Sequence, residues 1–436
     1  MDWKETYKEK LVTCDEAVKC IKSGDRVYVG TGSSTAYGLL DALWKRRFEL
    51  DNVTLCGANG YQYTPCYYEK EDNPFEFCTY FMGINERAAQ KIGKHVDFTS
   101  MHLSMADMWS EYVARPDVCF FEVSKPDENG YVSLGPSNIS VGHKLKEVGK
   151  VKIIQINENT PYCLGEQNLM HLSEADYITE YTTSYDDYVT TPPDEISNTI
   201  ASYILDLIPD GATFQLGIGN ISTAIGYGLK KKNDLGIYTE LLDQPMLELM
   251  RSGNVTNKYK GFLDGKTVYS FTFGSPELYK AMDNNPEFYG IPFYLSNDPR
   301  NVAKNRNMIS INSVMAFNIF GEACADCIGW KQQSGTGGQI DFVKGAQWSQ
   351  GGKSILATQS YFIRDGKKVS KIVPYFDPGS VVTTPRSEVQ YVATEYGCIN
   401  LQKLTMDERV KAMISLAHPD FRDELKEEAK KHGFKL

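Results

Sequence analysis

Three stretches of this chain combine residue types and spacing suited to chemistry. The first is Gln215-Leu216-Gly217-Ile218-Gly219-Asn220, a glycine pair between a strand pattern and a helical pattern. Such a pair lets a ligand approach the main chain and presents amides at a helix N-terminus, which suits a phosphate or an oxyanion. It serves equally well to let a turn pack tightly. The third glycine of the dinucleotide fingerprint is absent, which argues against a nicotinamide enzyme. The second stretch is Gln333-Ser334-Gly335-Thr336-Gly337-Gly338-Gln339-Ile340-Asp341-Phe342. Its free main-chain amides, above all those of Gly337 and Gly338, could build an anion nest or an oxyanion hole. It runs straight into the ordered-looking Ile340 to Val343 and Gly351 to Ala357 segments, so it does not read as a floppy surface loop. The third is Glu240, closing the apolar run Gly236-Ile237-Tyr238-Thr239-Glu240. An acid there would sit at the carboxyl edge of a parallel sheet, where open α/β folds bind ligands. On its own it is better explained as a solvated strand end or a cap, and Glu395 in Thr394-Glu395-Tyr396-Gly397 is a rival acid.

Other candidates are weaker. Cys324-Ala325-Asp326-Cys327 is a lone CxxC with no second pair, so it reads as two core thiols and not as a zinc site. The six histidines have no metal-binding spacing, and His102 reads as a core histidine. No Gly-x-Ser-x-Gly elbow or Walker A motif is present.

The elements that must position these residues alternate strand and helix. Val27 to Val29, Val151 to Ile154 and Ile372 to Tyr375 read as strands, and Asp15 to Ile21 reads as a helix with an acidic first turn. Helical patterns also cover Asp407 to Leu416 and, after His418-Pro419-Asp420, Phe421 to Lys431. This alternation implies parallel sheets covered on both faces. A weak repeat sharpens the expectation: Gly24, Gly30 and Gly32 pair with Gly211, Gly217 and Gly219 at one constant offset. Each copy continues into a helix and a second strand, Asn52 to Cys56 in one half and Leu235 to Glu240 in the other. The sequence therefore predicts an α/β protein of two related open parallel-sheet, Rossmann-like domains, 1–188 and 189–436. The boundary falls in the polar, proline-bearing stretch from Thr182 to Pro193.

A chain of 436 residues is long enough for two domains. A formal charge of −10 speaks against a broad nucleic-acid surface. Ten scattered cysteines suit reduced thiols in a cytoplasmic protein. There is no signal-peptide pattern and no apolar run of membrane-spanning length, so neither a membrane nor nucleic acid is an expected partner.

Several ordered blocks together resemble the acetyl-CoA hydrolase/transferase family of class I CoA transferases. They are Gln215 to Gly219, Gly236 to Glu240, Ser334 to Phe342, Thr394 to Gly397 with Ala417-His418-Pro419-Asp420-Phe421, and Val123-Ser124-Lys125-Pro126-Asp127-Glu128-Asn129-Gly130. The resemblance covers nearly the whole chain. It implies two CoA-transferase-type domains, Glu240 as a covalent nucleophile, and coenzyme A lying against Gln215, Leu216, Gly217, Ile218, Gly219 and Asn220 and near Gly337 and Gly338. It also implies a homodimer or homotetramer with no tightly bound cofactor, coenzyme A and acyl-CoA being substrates. It assigns Glu395 to a different block from the nucleophile. Gln244-Pro245, Lys125, Gly60 to Cys66 and Phe81 to Arg87 depart from the family pattern, the last two in the expected acyl pocket.

The implied reaction moves CoA from a short-chain acyl-CoA, butyryl-CoA or a hydroxyacyl-CoA, to a free carboxylate such as acetate. Glu240 would attack the thioester to give an anhydride, and CoA thiolate would then convert the anhydride to a glutamyl-CoA thioester. Gly337 and Gly338 would take up charge in the tetrahedral steps. An acyl-CoA hydrolase, a non-catalytic CoA-binding sensor and a phosphosugar isomerase are the competing readings.

Overall fold

The computed structural model describes residues 2–58, 60–185 and 192–436. The chain forms two compact units. The first comprises Met1–Val189, Glu240–Gln244 and Val268–Ser296; the second comprises Thr190–Thr239, Pro245–Thr267 and Asn297–Leu436. The boundary expected between 188 and 189 lies outside the described residues.

The first unit is built on seven parallel strands: β1 (Arg26–Thr31), β2 (Val53–Ala58), β3 (Phe75–Thr79), β4 (Val96–Phe98), β5 (Val118–Val123), β6 (Val151–Ile156) and β7 (Tyr177–Glu180), in the spatial order 4-3-2-1-5-6-7. β5 is buried along its whole length, as a central strand covered on both faces must be. Alternation sorts the side chains of β1 and β5: Val27, Val29 and Phe120 join one apolar cluster, and Tyr28, Cys119 and Phe121 join another. The strand order reverses between β1 and β5, which marks a crevice at their carboxyl ends.

The second unit holds β8 (Thr213–Leu216), β9 (Gly236–Ile237), β10 (Met308–Ser313), β11 (Lys353–Ala357), β12 (Tyr391–Thr394) and β13 (Gly397–Asn400), in the order 9-8-10-11-12-13. All neighbours are parallel except the β12–β13 hairpin. The repeat is present in both sheets. β1, helix α1 (Tyr37–Lys45) and parallel neighbour β2 form one copy; β8, helix α2 (Asn220–Gly228) and parallel neighbour β9 form the other.

Local signals explain most boundaries. Thr13 and Thr405 each open a helix with a reciprocal capping box, to Glu16 and Glu408. The Asp15 to Ile21 expectation resolves into a helix over Cys14–Ala17 and a 3-10 turn over Val18–Cys20. Ile372–Val373 is a strand that stops at Pro374, which cannot donate to a ladder. Ile340 to Val343 belongs to helix α3 (Gln339–Trp348). Of the expected Gly236-to-Glu240 strand, Gly236–Ile237 forms the strand and the Tyr238 amide adds one bond to the Phe214 carbonyl at 3.3 Å.

Glu86 is buried in the first unit, and burial pushes its carboxyl up to about 8 from 4.5. The folded state therefore holds this proton where the unfolded state has lost it. The associated stability is complete below about pH 4.5 and is lost as pH rises toward 8. Glu86→Gln should flatten that decline. Thermal unfolding at pH 5 and pH 8 should show the variant gaining on the parent at the higher pH; equal differences at both would refute it.

Candidate functional site

Glu240 belongs to the first unit and lies half-buried in a bend. Its carbonyl accepts both the Ser270 and the Phe271 amide, each at 2.9 Å. The next two residues form a strand, Leu241–Leu242, parallel to Phe271–Thr272. The Phe273 amide donates to the Leu242 carbonyl at 3.2 Å, and Ser275 Oγ donates to Gln244 Oε1 at 2.8 Å. Glu240 thus sits past the ladder of β9, at the start of a separate short pair, and not at the end of a sheet strand as the sequence suggested.

The side chains beyond it are apolar. Leu241, Phe271, Phe273 and Phe293 join one buried cluster, against which Tyr61 and Phe81 also pack. Phe273 meets Phe271 and Tyr61 edge-on, with centroids 5.6 and 5.5 Å apart. Both segments expected at the acyl pocket therefore reach the cluster that follows Glu240. Elsewhere in this unit Lys125, Lys280, Thr160, Tyr185 and Tyr279 help line a cavity of about 580 Å³. Tyr185 and Thr160 also donate to buried Glu122, at 2.9 and 3.1 Å. Burial pushes the Glu122 carboxyl up to about 7 against these hydrogen bonds.

In the second unit the Gln215 to Asn220 stretch divides into two parts. The Gln215 side chain is buried, donating to Asn312 Oδ1 at 3.0 Å and accepting from Ser310 Oγ at 2.8 Å. Leu216 is buried as well. The Gln215 and Leu216 side chains are thus committed to the sheet, and the Gly217 amide donates to the Ile311 carbonyl at 2.8 Å. Ile218, Gly219 and Asn220 are exposed, and Gly219 opens α2 with φ +124°, a conformation that suits glycine. First-turn amides of a helix have no intrahelical acceptor, so this turn offers donors to an anion.

Gly337 and Gly338 lead into α3 in the same manner, Gly337 at φ +61° and Gly338 as the residue preceding the helix. The loop is ordered by its neighbours. The amides of Gln333 and Ser334 donate to the Asp326 carbonyl at 2.8 and 3.2 Å. The Asp326 carboxylate accepts from Thr383 Oγ1 at 2.5 Å and Gln332 Nε2 at 3.2 Å.

Among the described residues, Cys324, Asp326 and Cys327 bring three potential metal donors within 4.8 Å. The thiols lie 3.7 Å apart and are buried, and the carboxylate already serves the loop, so the group reads as packing. Glu395 is similarly committed, accepting from the Ser360 amide at 2.9 Å and Ser360 Oγ at 2.5 Å. It braces the chain where a nucleophile would need to be available.

Two contributors had no sequence signal. Lys260 is buried and donates to the Ile237 carbonyl at 2.9 Å, tying down the end of β9; desolvation lowers its ammonium to about 7. Ser33 and Ser137 form a buried hydroxyl pair, 2.7 Å apart, that reaches Thr272.

Known proteins share this architecture over their full length. The chain is 38% identical over 440 residues to the 4-hydroxybutyrate coenzyme A transferase of Clostridium kluyveri, covering 99% of this chain and 100% of that one. It is 35% identical to the butyryl-CoA:acetate CoA-transferase of Anaerostipes caccae, covering 99% and 98%. The crystal structure of RipA from Yersinia pestis matches with a TM-score of 0.92 at 33% identity, covering 100% of both chains. Residues 1–185 match the acetyl-CoA hydrolase/transferase N-terminal domain and residues 274–429 the C-terminal domain. This chain belongs to the acetyl-CoA hydrolase/transferase family.

Proposed function

We propose that this protein is a CoA transferase that exchanges CoA between a short-chain acyl-CoA and a free carboxylate such as acetate, with Glu240 as nucleophile. The observation that carries the reading is the main-chain clamp on Glu240, a half-buried glutamate whose backbone carbonyl accepts two amides at a bend. Full-length relatives named as CoA transferases for 4-hydroxybutyrate and for butyryl-CoA and acetate support the substrate class.

The chemistry follows from the residue type. The Glu240 carboxylate adds to the thioester carbonyl, and the C–S bond breaks to release CoA thiolate and leave a mixed anhydride. The thiolate then adds to the glutamyl carbonyl, and the C–O bond to the first acyl group breaks. That frees the first acid and leaves glutamyl-CoA. An incoming carboxylate runs the two steps in reverse and departs as its own CoA ester. No electrons are transferred and no proton is consumed overall. The amides of Gly337 and Gly338 are assigned to the oxyanions of the tetrahedral steps; one such donor typically lowers the barrier by about 3–4 kcal/mol. The Gly217 to Asn220 turn is assigned to a phosphate of CoA. Its exposure and its position at a helix start support that role. No resident cofactor is assigned, and a homodimer or homotetramer in the cytoplasm completes the proposal.

Incubation with acyl-CoA in the absence of an acceptor acid, followed by peptide mass spectrometry, should find CoA joined to the peptide bearing Glu240 with loss of water. Glu240→Ala should abolish the adduct and lower exchange by on the order of 10³-fold or more. Exchange at the parental rate in that variant would end the proposal, and binding without adduct or exchange would establish the sensor reading.

Glu240→Asp retracts the carboxylate by one methylene. CoA transfer should fall at least tenfold while a larger share of thioester is lost to water, measured as released thiol with and without acetate. Normal transfer would show that the reach of the side chain does not matter.

A further inference from the structure

The two-stranded pair beside Glu240 is open on one side, and a side chain occupies that side. Along Phe271–Thr272 the main-chain amides alternate in direction. Those of Phe271 and Phe273 point to the Glu240 and Leu242 carbonyls. The Thr272 amide points the other way, where the pair has no third strand among the described residues. Ser137 Oγ accepts that amide at 3.2 Å and lies 3.4 Å from the Thr272 carbonyl, so one hydroxyl meets both main-chain groups that a strand would have met. Ser33 Oγ lies 2.7 Å from Ser137 Oγ and 3.3 Å from Thr272 Oγ1, closing a ring that runs through the side chain and main chain of Thr272. Thr272 and Ser137 are fully buried and Ser33 is nearly so. The ring stands on the first Gly-x-Gly turn, where Gly32 at φ +53° would press an added Cβ to 3.2 Å from Ser137 Oγ. Ser137 is fixed in turn, because its amide donates to Ser34 Oγ at 3.0 Å and the Asn138 side chain donates to the Ser34 carbonyl at 3.0 Å.

We propose that Ser137 is a positioning residue for the transfer reaction, standing in for the missing strand and so holding the Phe271–Thr272 strand against the Glu240 carbonyl. The proposal rests on the assignment of Glu240 as nucleophile. Removing the hydroxyl leaves the Thr272 amide buried without its acceptor, which the strand relieves by shifting. Glu240 then loses its fixed bend while the groups assigned to CoA are untouched. The first glycine turn of the repeat thus serves the nucleophile's strand from behind.

The test is single-turnover formation of the Glu240–CoA adduct, read with the steady-state constants. Ser137→Ala should slow adduct formation 10- to 100-fold and lower kcat in proportion, with KM for acyl-CoA within about twofold of the parent. Ser33→Ala, which leaves the Ser137–Thr272 bonds in place, should lose less than fivefold. Ser137→Cys keeps a weak acceptor and should fall between the parent and alanine; it also serves if the alanine variant fails to fold. Amide exchange over residues 268–273 should quicken in Ser137→Ala. Adduct formation at the parental rate in Ser137→Ala or, where only the cysteine variant folds, in Ser137→Cys overturns the positioning role. So does a matching loss in KM with kcat unchanged. Absence of any adduct in the parent is a separate outcome, which removes the nucleophile assignment and this inference with it.

Discussion

The constraint that orders the rest of the site is a shared acceptor: the Glu240 carbonyl takes two successive amides, from Ser270 and Phe271. One carbonyl with two lone pairs can satisfy both donors, and doing so fixes the peptide plane at that residue. The proposed nucleophile, forming first an anhydride and then a thioester, would present the same carbonyl carbon to two attackers in turn. A misplacement of about 1 Å is enough to cost on the order of 10²-fold. Fixing the main chain at its root is a way to meet that tolerance with a flexible side chain.

The same sequence device serves two ends in the two halves. Gly30-Thr31-Gly32 closes β1, and Gly217-Ile218-Gly219 follows β8 at the matching place in the repeat. Around the first, Thr31, Ser33 and Ser34 are buried and bonded to side chains of the unit. Around the second, Ile218 and Asn220 are exposed and the helix end faces solvent. A buried turn spends its donors on internal partners; at the second turn the Gly217 amide does so too, meeting the Ile311 carbonyl at 2.8 Å, and the exposed residues lie beyond it. Burial separates the two, and a glycine pattern alone does not carry that information.

Much of the architecture was legible because it is locally encoded. β1 and β6 follow from short β-branched runs, the last two helices from amphipathic spacing and caps, and the paired α/β sheets from the repeat. The failures came where local pattern and long-range packing part. Gly236 to Glu240 has the apolar character of a strand. Yet the ladder gives out after the Tyr238 amide meets the Phe214 carbonyl, and the chain from Glu240 to Gln244 clusters with residues far away in sequence. The resemblance set coenzyme A against Gln215, whose side chain completes a buried network with Ser310 and Asn312 that no local pattern announces. Ser33 and Ser137 are indistinguishable in sequence from ordinary loop serines, since what sets them apart is a meeting of residues a hundred positions apart.

The choice of neutral groups in that meeting has an electrostatic logic. A charge buried near a working carboxylate interacts with it far more strongly than in water and also carries a large desolvation cost. Hydroxyls and amides fix geometry through short directional bonds and bring no net charge. The set of Tyr28, Thr31, Ser33, Ser34, Ser137, Asn138 and Thr272 is uncharged throughout, and its bonds are mutual: Asn138 Oδ1 accepts from Tyr28 and from the Thr31 amide, while its Nδ2 donates to Ser34. A network satisfied in this way is rigid, because no member can move without leaving another unpaired. It holds the strand behind Glu240 through bonds that add no charge to that side of the bend.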